Sequence, residues 1–148
     1  MDTTYSIYYI LIVLFTLCSG FFSGVETAIV SSRRFTIEIY SNKGIKRAAR
    51  GLKILDDMES AIGMVLIGNN IVNISATAFI TYVATKAFLY NETELFIVTS
   101  IQTVFFLFFC EIMPKVIAKA KAENLLMTLS LPIIVLLKLF RPMIWLSL

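Results

Sequence analysis

Five side chains lie where hydrocarbon-loving sequence should not carry them. Glu26 and Glu111 fall within long apolar runs, and Asn69, Asn70 and Asn73 crowd into another. An ionisable group at the centre of a membrane span costs about 2.5–3.5 kcal/mol on insertion scales. Three amides so close together make a poor lipid-facing helix. Asn69 and Asn73 are four apart and share one helix face, with Asn70 turned about 100° away. Ser23-Gly24 interrupts the first run at a point where a helix could unwind and offer carbonyl oxygens, which is tolerated at depth only beside a cavity or under protein. Pro114, behind Glu111, removes the amide that would bond to Cys110. Every one of these donors is an oxygen, a set that suits hard cations such as Mg2+, Ca2+, Mn2+ or Na+ rather than zinc or copper. With one carboxylate, or two if Glu26 joins, binding is expected to be moderate, as a permeating ion requires.

Composition narrows the chemistry further. There is no histidine, so imidazole-ligated zinc, Ser-His nucleophiles and imidazole proton relays are all excluded. Cys18 and Cys110 both fall in apolar runs and read as small reduced hydrophobes rather than a disulfide. Ser23 with Lys115 imitates a Ser-Lys dyad, but nothing else supports a hydrolase, and no enzymatic activity is expected. Of the residues, 58% are hydrophobic and only 16% charged; soluble domains carry about 25% charged residues. The net charge of +3 points to no nucleic-acid partner, because its cations cluster in loops flanking apolar runs.

Those runs are the elements that must position the polar groups. Stretches of about 5–30, 60–84 and 95–118 are each long enough to cross a hydrocarbon core of about 30 Å. The fold expected is all-α and integral to the membrane, with three transmembrane helices and amphipathic juxtamembrane helices. The latter cover about 32–58, where Ile37, Tyr40, Ile45, Leu52 and Leu55 recur at helical spacing and Asn42 to Gly44 break the pattern. A last apolar segment, about 124–147, holds Pro132, Lys138, Arg141 and Pro142 and reads as a bent helix partly in the interface. The amino terminus lacks a basic stretch before its apolar run and reads as a retained span rather than a cleaved signal. The first connector carries Arg33, Arg34, Lys43, Lys46, Arg47, Arg50 and Lys53, against Lys86 alone in the second. The positive-inside rule then sets the amino terminus outside, and the carboxyl terminus in the cytoplasm, of a multi-pass cell-membrane protein.

At about 1.5 Å rise per residue, Ser23 lies roughly 27 Å and Glu111 roughly 24 Å from the outer ends of their spans. Asn69 and Asn73 lie about 13 and 19 Å from the inner end of theirs. With ordinary tilt, the three antiparallel spans bring these groups to one level in the inner half of the membrane. A plainer reading stands beside this one: Asn and Ser in spans often only bond neighbouring helices, at about 1 kcal/mol each. Glu26, near the inner boundary, could simply pair with Arg33 or Lys115. Thr27, Thr77 and Gln102 read as helix-packing groups, and the run Phe105, Phe106, Phe108, Phe109 as lipid or dimer surface.

Phe22-Ser23-Gly24-Val25-Glu26-Thr27-Ala28 with Ser31-Ser32-Arg33, then Ile67-Gly68-Asn69-Asn70-Ile71-Val72-Asn73, then Glu111-Ile112-Met113-Pro114-Lys115 resemble the three signatures of the cyclin-M/CorC (CNNM/CorC) family membrane domain. The resemblance extends over residues 1–148 through Pro142-Met143-Ile144-Trp145. It implies a homodimer with three spanning helices per subunit and a juxtamembrane helical belt. It implies export of Mg2+, in exchange for Na+, from a site where the ion is held dehydrated. Matched motif to motif, the metal ligands fall on Ser23, Gly68, Asn69, Asn73 and Glu111, with Gly68 and Ser23 as carbonyl donors. Glu26 would line the cavity or serve Na+, and Asn70 would stand beside the ligands. Family members usually continue into ATP-binding cytosolic CBS domains; no such domain lies in these 148 residues, and they are expected in the full-length protein.

The expectation is therefore a secondary transporter for Mg2+. The alternative is a Mg2+-sensing regulatory or scaffold subunit that moves no ions itself. A passive channel is disfavoured, since there is no repeated carbonyl filter or ring of acids.

Overall fold

The computed structural model describes residues 3–87 and 92–147, all-helical apart from short turns. Helix α1 covers Thr3–Ser31, α2 Arg34–Asn42, α3 Lys46–Asp56 and α4 Met58–Ala87. Helix α5, Glu92–Phe106, runs on through a π-helical segment, Leu107–Ile112, into α6, Met113–Ala120; α7 covers Ala122–Ser147. Part of the connector between α4 and α5, residues 88–91, lies outside the described residues.

Four helical stretches are long and apolar enough to cross a membrane by length and composition: Ile10–Ser31, Met58–Lys86, Thr93–Ala120 and Ala122–Met143. Three of them match the expected spans, and the fourth is α7. Instead of the broken segment expected over 124–147, α7 is one continuous helix through Pro132 and Pro142. Packing explains its continuity: Leu126 and Ile133 are fully buried, which fixes both sides of Pro132.

The core gathers at one end of the bundle. Phe22, Val25, Ala28 and Ile29 of α1 meet Ala61, Met64 and Val65 of α4, Ile37 of α2, Ala48 and Ile54 of α3, and Leu126 and Ile133 of α7. The turn between α2 and α3 is made by Gly44, whose φ of +82° lies in the left-handed region that glycine enters without a Cβ penalty. Arg34 of α2 pairs with Asp56 at the end of α3, closing the amphipathic pair under the foot of α1. Arg33 pairs with Glu123 of α7 at 3.6 Å. Fifteen residues further along α7, Lys138 and Arg141 line a cleft of about 270 Å³ with Asp57 and Ser60, at the foot of α4. Both ends of that α7 segment therefore touch the same end of the bundle.

Close approach of α1 to its neighbours depends on small residues. Gly20 and Gly24, one turn apart, form the groove that receives the Pro114 ring of α6; a Cβ on Gly20 would meet the ring at 3.4 Å. Gly68 of α4 lies under the Phe22 ring, and a Cβ there would come within 3.0 Å of three ring atoms. Phe22 is only 7% exposed and has no free path of retreat. Gly68→Ala is expected to destabilise the fold by about 1–3 kcal/mol through overpacking, against the gain of about 1 kcal/mol that alanine usually brings inside a helix. Unfolding in detergent reads this directly, and Phe22→Leu in the same chain should restore most of the loss.

Candidate functional site

Ser19, buried at 2% exposure in α1, joins α1 to α4. Its hydroxyl donates to Asn73 Oδ1 at 2.6 Å, with Asn69 Oδ1 at 3.5 Å. The two amides thus present their oxygens to one point on α1, as their four-residue spacing on a common face dictates. Asn70, on the adjacent face, is exposed and takes no part. Ser23, one turn below Ser19 and 1% exposed, donates to the backbone carbonyl of Glu111 at 3.2 Å. The two serines of α1 therefore tie together the amides of α4 and the carboxylate-bearing segment of the third stretch.

That segment is π-helical. Its Met113 amide donates to the carbonyl of Phe108, five residues back, where an α-helix would use Phe109. Pro114 follows with no amide to give, so the α-helical bond to Cys110 is not available there. A π segment inserts one extra residue into a turn and re-aims those around it. Here it turns Glu111, Cys110 and Leu107 towards a cavity of about 200 Å³ shared with Ser19, Asn73 and Gln102. The wall is mixed, with Thr77 and Thr103 hydroxyls beside Phe106 and Leu107. Gln102 Oε1 is buried and has no hydrogen-bond partner among the described residues.

The carboxylates are tied from the other side. Lys115 Nζ lies 3.3 Å from Glu26 Oε2 and 3.6 Å from Glu111 Oε1, bridging α1 to the π segment. The Glu26 side chain is 26% exposed, that of Lys115 38% and that of Glu111 49%. These groups are half-open, and water or an ion can reach them. Of the two partners foreseen for Glu26, Arg33 pairs with Glu123 and Lys115 takes Glu26.

The expected ligands are thus unequally placed. Asn73 and Glu111 line one cavity, and Asn69 lies beside it through Ser19. Helix α1 does not unwind at Ser23-Gly24; the Ser23 carbonyl accepts from Thr27 Oγ1 at 3.2 Å. Helix α4 is likewise unbroken at Gly68. The irregular backbone is instead the π segment around Glu111. Cys18 and Cys110 are both free thiols. Sequence reasoning missed Ser19 as a cavity residue, although it precedes Ser23 by one turn and so had to share its face. It also set Gln102 among packing groups and read Lys115 as an end charge.

Comparison with known proteins places this geometry. The family model for the cyclin M transmembrane N-terminal domain matches residues 10–147. A UPF0053 protein of Haemophilus influenzae is 34% identical over 138 residues, covering 93% of this chain and 32% of that protein. The UPF0053 inner membrane protein YfjD of Escherichia coli is 35% identical over 128 residues, covering 86% of this chain and 29% of that protein. A chloroplastic DUF21 domain-containing protein of Arabidopsis thaliana is 34% identical over 134 residues, 88% of this chain and 18% of its own length. The chain thus spans a third or less of the length of these relatives.

The Ser19–Asn73 bond is the direct link between α1 and α4 at the cavity. Ser19→Ala is expected to cost about 1 kcal/mol or less. Asn73→Ala in the same chain should add far less than its cost alone, a non-additivity that a double-mutant cycle of unfolding in detergent would measure.

Proposed function

The chain belongs to the cyclin M transmembrane domain family, and from that premise we propose that it is the membrane domain of a secondary transporter that exports Mg2+ in exchange for Na+. The single observation that carries this reading is the shared cavity of about 200 Å³ lined together by Asn73, Ser19 and Glu111, from three separate helical stretches. Mg2+ sheds its water reluctantly and needs several oxygens ready together. Asn69, Asn73, Ser23 and Glu111 are the residues assigned to that task, with Gly68 as a carbonyl donor. Glu26 is assigned to the cavity mouth. The protein acts as a carrier, not an enzyme.

The reading includes three crossings, with α7 as a belt along the inner surface. Glu123 and Lys138 are about 22 Å apart along a straight helix, yet they contact the feet of α1 and α4 respectively. A helix perpendicular to the membrane would carry one of them most of the way across the hydrocarbon. The basic residues of α2 and α3 then lie in the cytoplasm with the carboxyl end, and the amino terminus lies outside. The third stretch buries only 6% of its apolar window within the protomer, leaving Ile97, Ile101 and Val104 exposed. Lipid and a second copy in a homodimer are the proposed partners for that surface.

Flux into proteoliposomes tests the proposal. Mg2+ movement should depend on an imposed Na+ gradient, and Glu111→Ala should lower it at least about tenfold, the loss of one charge-assisted ligand. Undiminished flux in that variant would remove the mechanism. Mg2+ binding without flux in the parent chain would favour the sensing subunit instead.

A further inference from the structure

Among the described residues, Lys115 is the one cation placed against both carboxylates of the candidate site, and its position is unusual for a lysine near the end of a membrane helix. Such a side chain ordinarily extends its four carbons towards the nearer interface, where the ammonium is hydrated. The inner end of α6, Ala120, is five residues beyond Lys115, within reach of that manoeuvre. Instead the ammonium points back one turn to Glu111 and across to Glu26 of α1. Helical geometry favours this direction, since Cα–Cβ bonds lean towards the helix amino terminus, which here is the side of the cavity. Neither carboxylate has another cation within ion-pair distance among the described residues.

We infer that Lys115 is a tethered competitor for the transported cation: its ammonium holds Glu111 in the empty site and must leave that carboxylate when a divalent ion binds, with Glu26 receiving it. This rests on the reading of Glu111 as an ion ligand. The geometry supplies both halves of the exchange. The contact to Glu111 is the longer one, 3.6 Å against 3.3 Å to Glu26, so the ammonium has a second carboxylate to retain when it gives up the first. Glu26 lies one turn from Ser23 on α1, so the transfer needs a side-chain rotation and no change of helix packing. The exchange serves a carrier in two ways. It keeps the half-open Glu111 carboxylate partnered between turnovers, and it weakens ion binding enough for release.

The sign of each substitution separates this role from an anchoring one. Apparent dissociation constants for Mg2+ follow from the MgCl2 dependence of thermal unfolding of the purified chain in detergent, since a ligand that binds only the folded state stabilises it in proportion to its occupancy. Lys115→Met removes the competitor and should lower the dissociation constant about threefold, roughly the value of one partly exposed ion pair. Lys115→Gln should act in the same direction and serves if the methionine variant does not fold. Lys115→Arg, which keeps the charge, should show none of this tightening.

Glu26→Gln supplies the opposite sign. It leaves the ammonium with Glu111 alone and should raise the constant by about threefold or more, an effect that should vanish once Lys115 is Met. Unchanged or weaker binding in both neutral variants would overturn the inference, as would tightening by arginine equal to that by methionine. So would unchanged or tighter binding in Glu26→Gln. The underlying assignment fails separately, and visibly, if Mg2+ stabilises Glu111→Ala as well as it stabilises the parent chain.

Discussion

A polar group inside a bilayer has no water to return to, and this constraint organises the molecule. Several of the hydroxyls, amides and charges carried into the apolar stretches therefore find partners within the protein. Ser19 answers Asn73, Ser23 answers the Glu111 carbonyl, and Lys115 answers two carboxylates. These bonds are modest singly, at about 1 kcal/mol or less for neutral pairs. Together they hold three separately threaded stretches in register around one cavity. What they leave over includes the buried, unpartnered Gln102 Oε1 and the half-open carboxylate of Glu111.

The apolar core supports this arrangement from one side only. Its buried residues, from Phe22 to Ile29 on α1, Ala61 to Val65 on α4, and Leu126 and Ile133 on α7, lie towards the feet of the helices. The opposite half exposes Ile10, Val13, Leu17, Ile74, Phe96 and Ile101, as a surface meant for acyl chains would. Rigidity is thus concentrated where α2, α3 and α7 close around the bundle, at the inner end in the proposed orientation. The cavity lies between that rigid base and the loosely packed upper half. The proposed carrier would use such an asymmetry, because one end must hold while the other moves.

Much of this could be read from residue types and spacing. The amides of Asn69 and Asn73 had to share a face, and Glu111 had to meet them if the spans were antiparallel; Asn73 and Glu111 do line one cavity. The turn at Gly44 was written in its neighbours. Other features were out of reach for identifiable reasons. Ser23-Gly24 looks like a weak point in α1, but Gly24 is needed for the close approach of Pro114, and a glycine kept for packing is indistinguishable in sequence from one kept for unwinding. Gly68 is the same case, with Phe22 as the packing partner. Pro132 and Pro142 argued for a break in α7 that packing on both sides of Pro132 overrides.

The π segment is the deepest of these and explains why Gln102 was misjudged. Gln102 and Glu111 are nine residues apart, which on a straight α-helix is two and a half turns, about 180° around the axis. Read that way, one of them faces the cavity and the other faces away. The extra residue in the π segment changes the phase of the helix across Leu107–Ile112, within which Glu111 lies. Glu111 and Gln102 line the same cavity. The local cause is Pro114, which has no amide for Cys110, in a helix where Ser23 also claims the Glu111 carbonyl. A single missing hydrogen bond thus changes the phase of a whole span, and the position of the one carboxylate in the cavity wall follows from that phase.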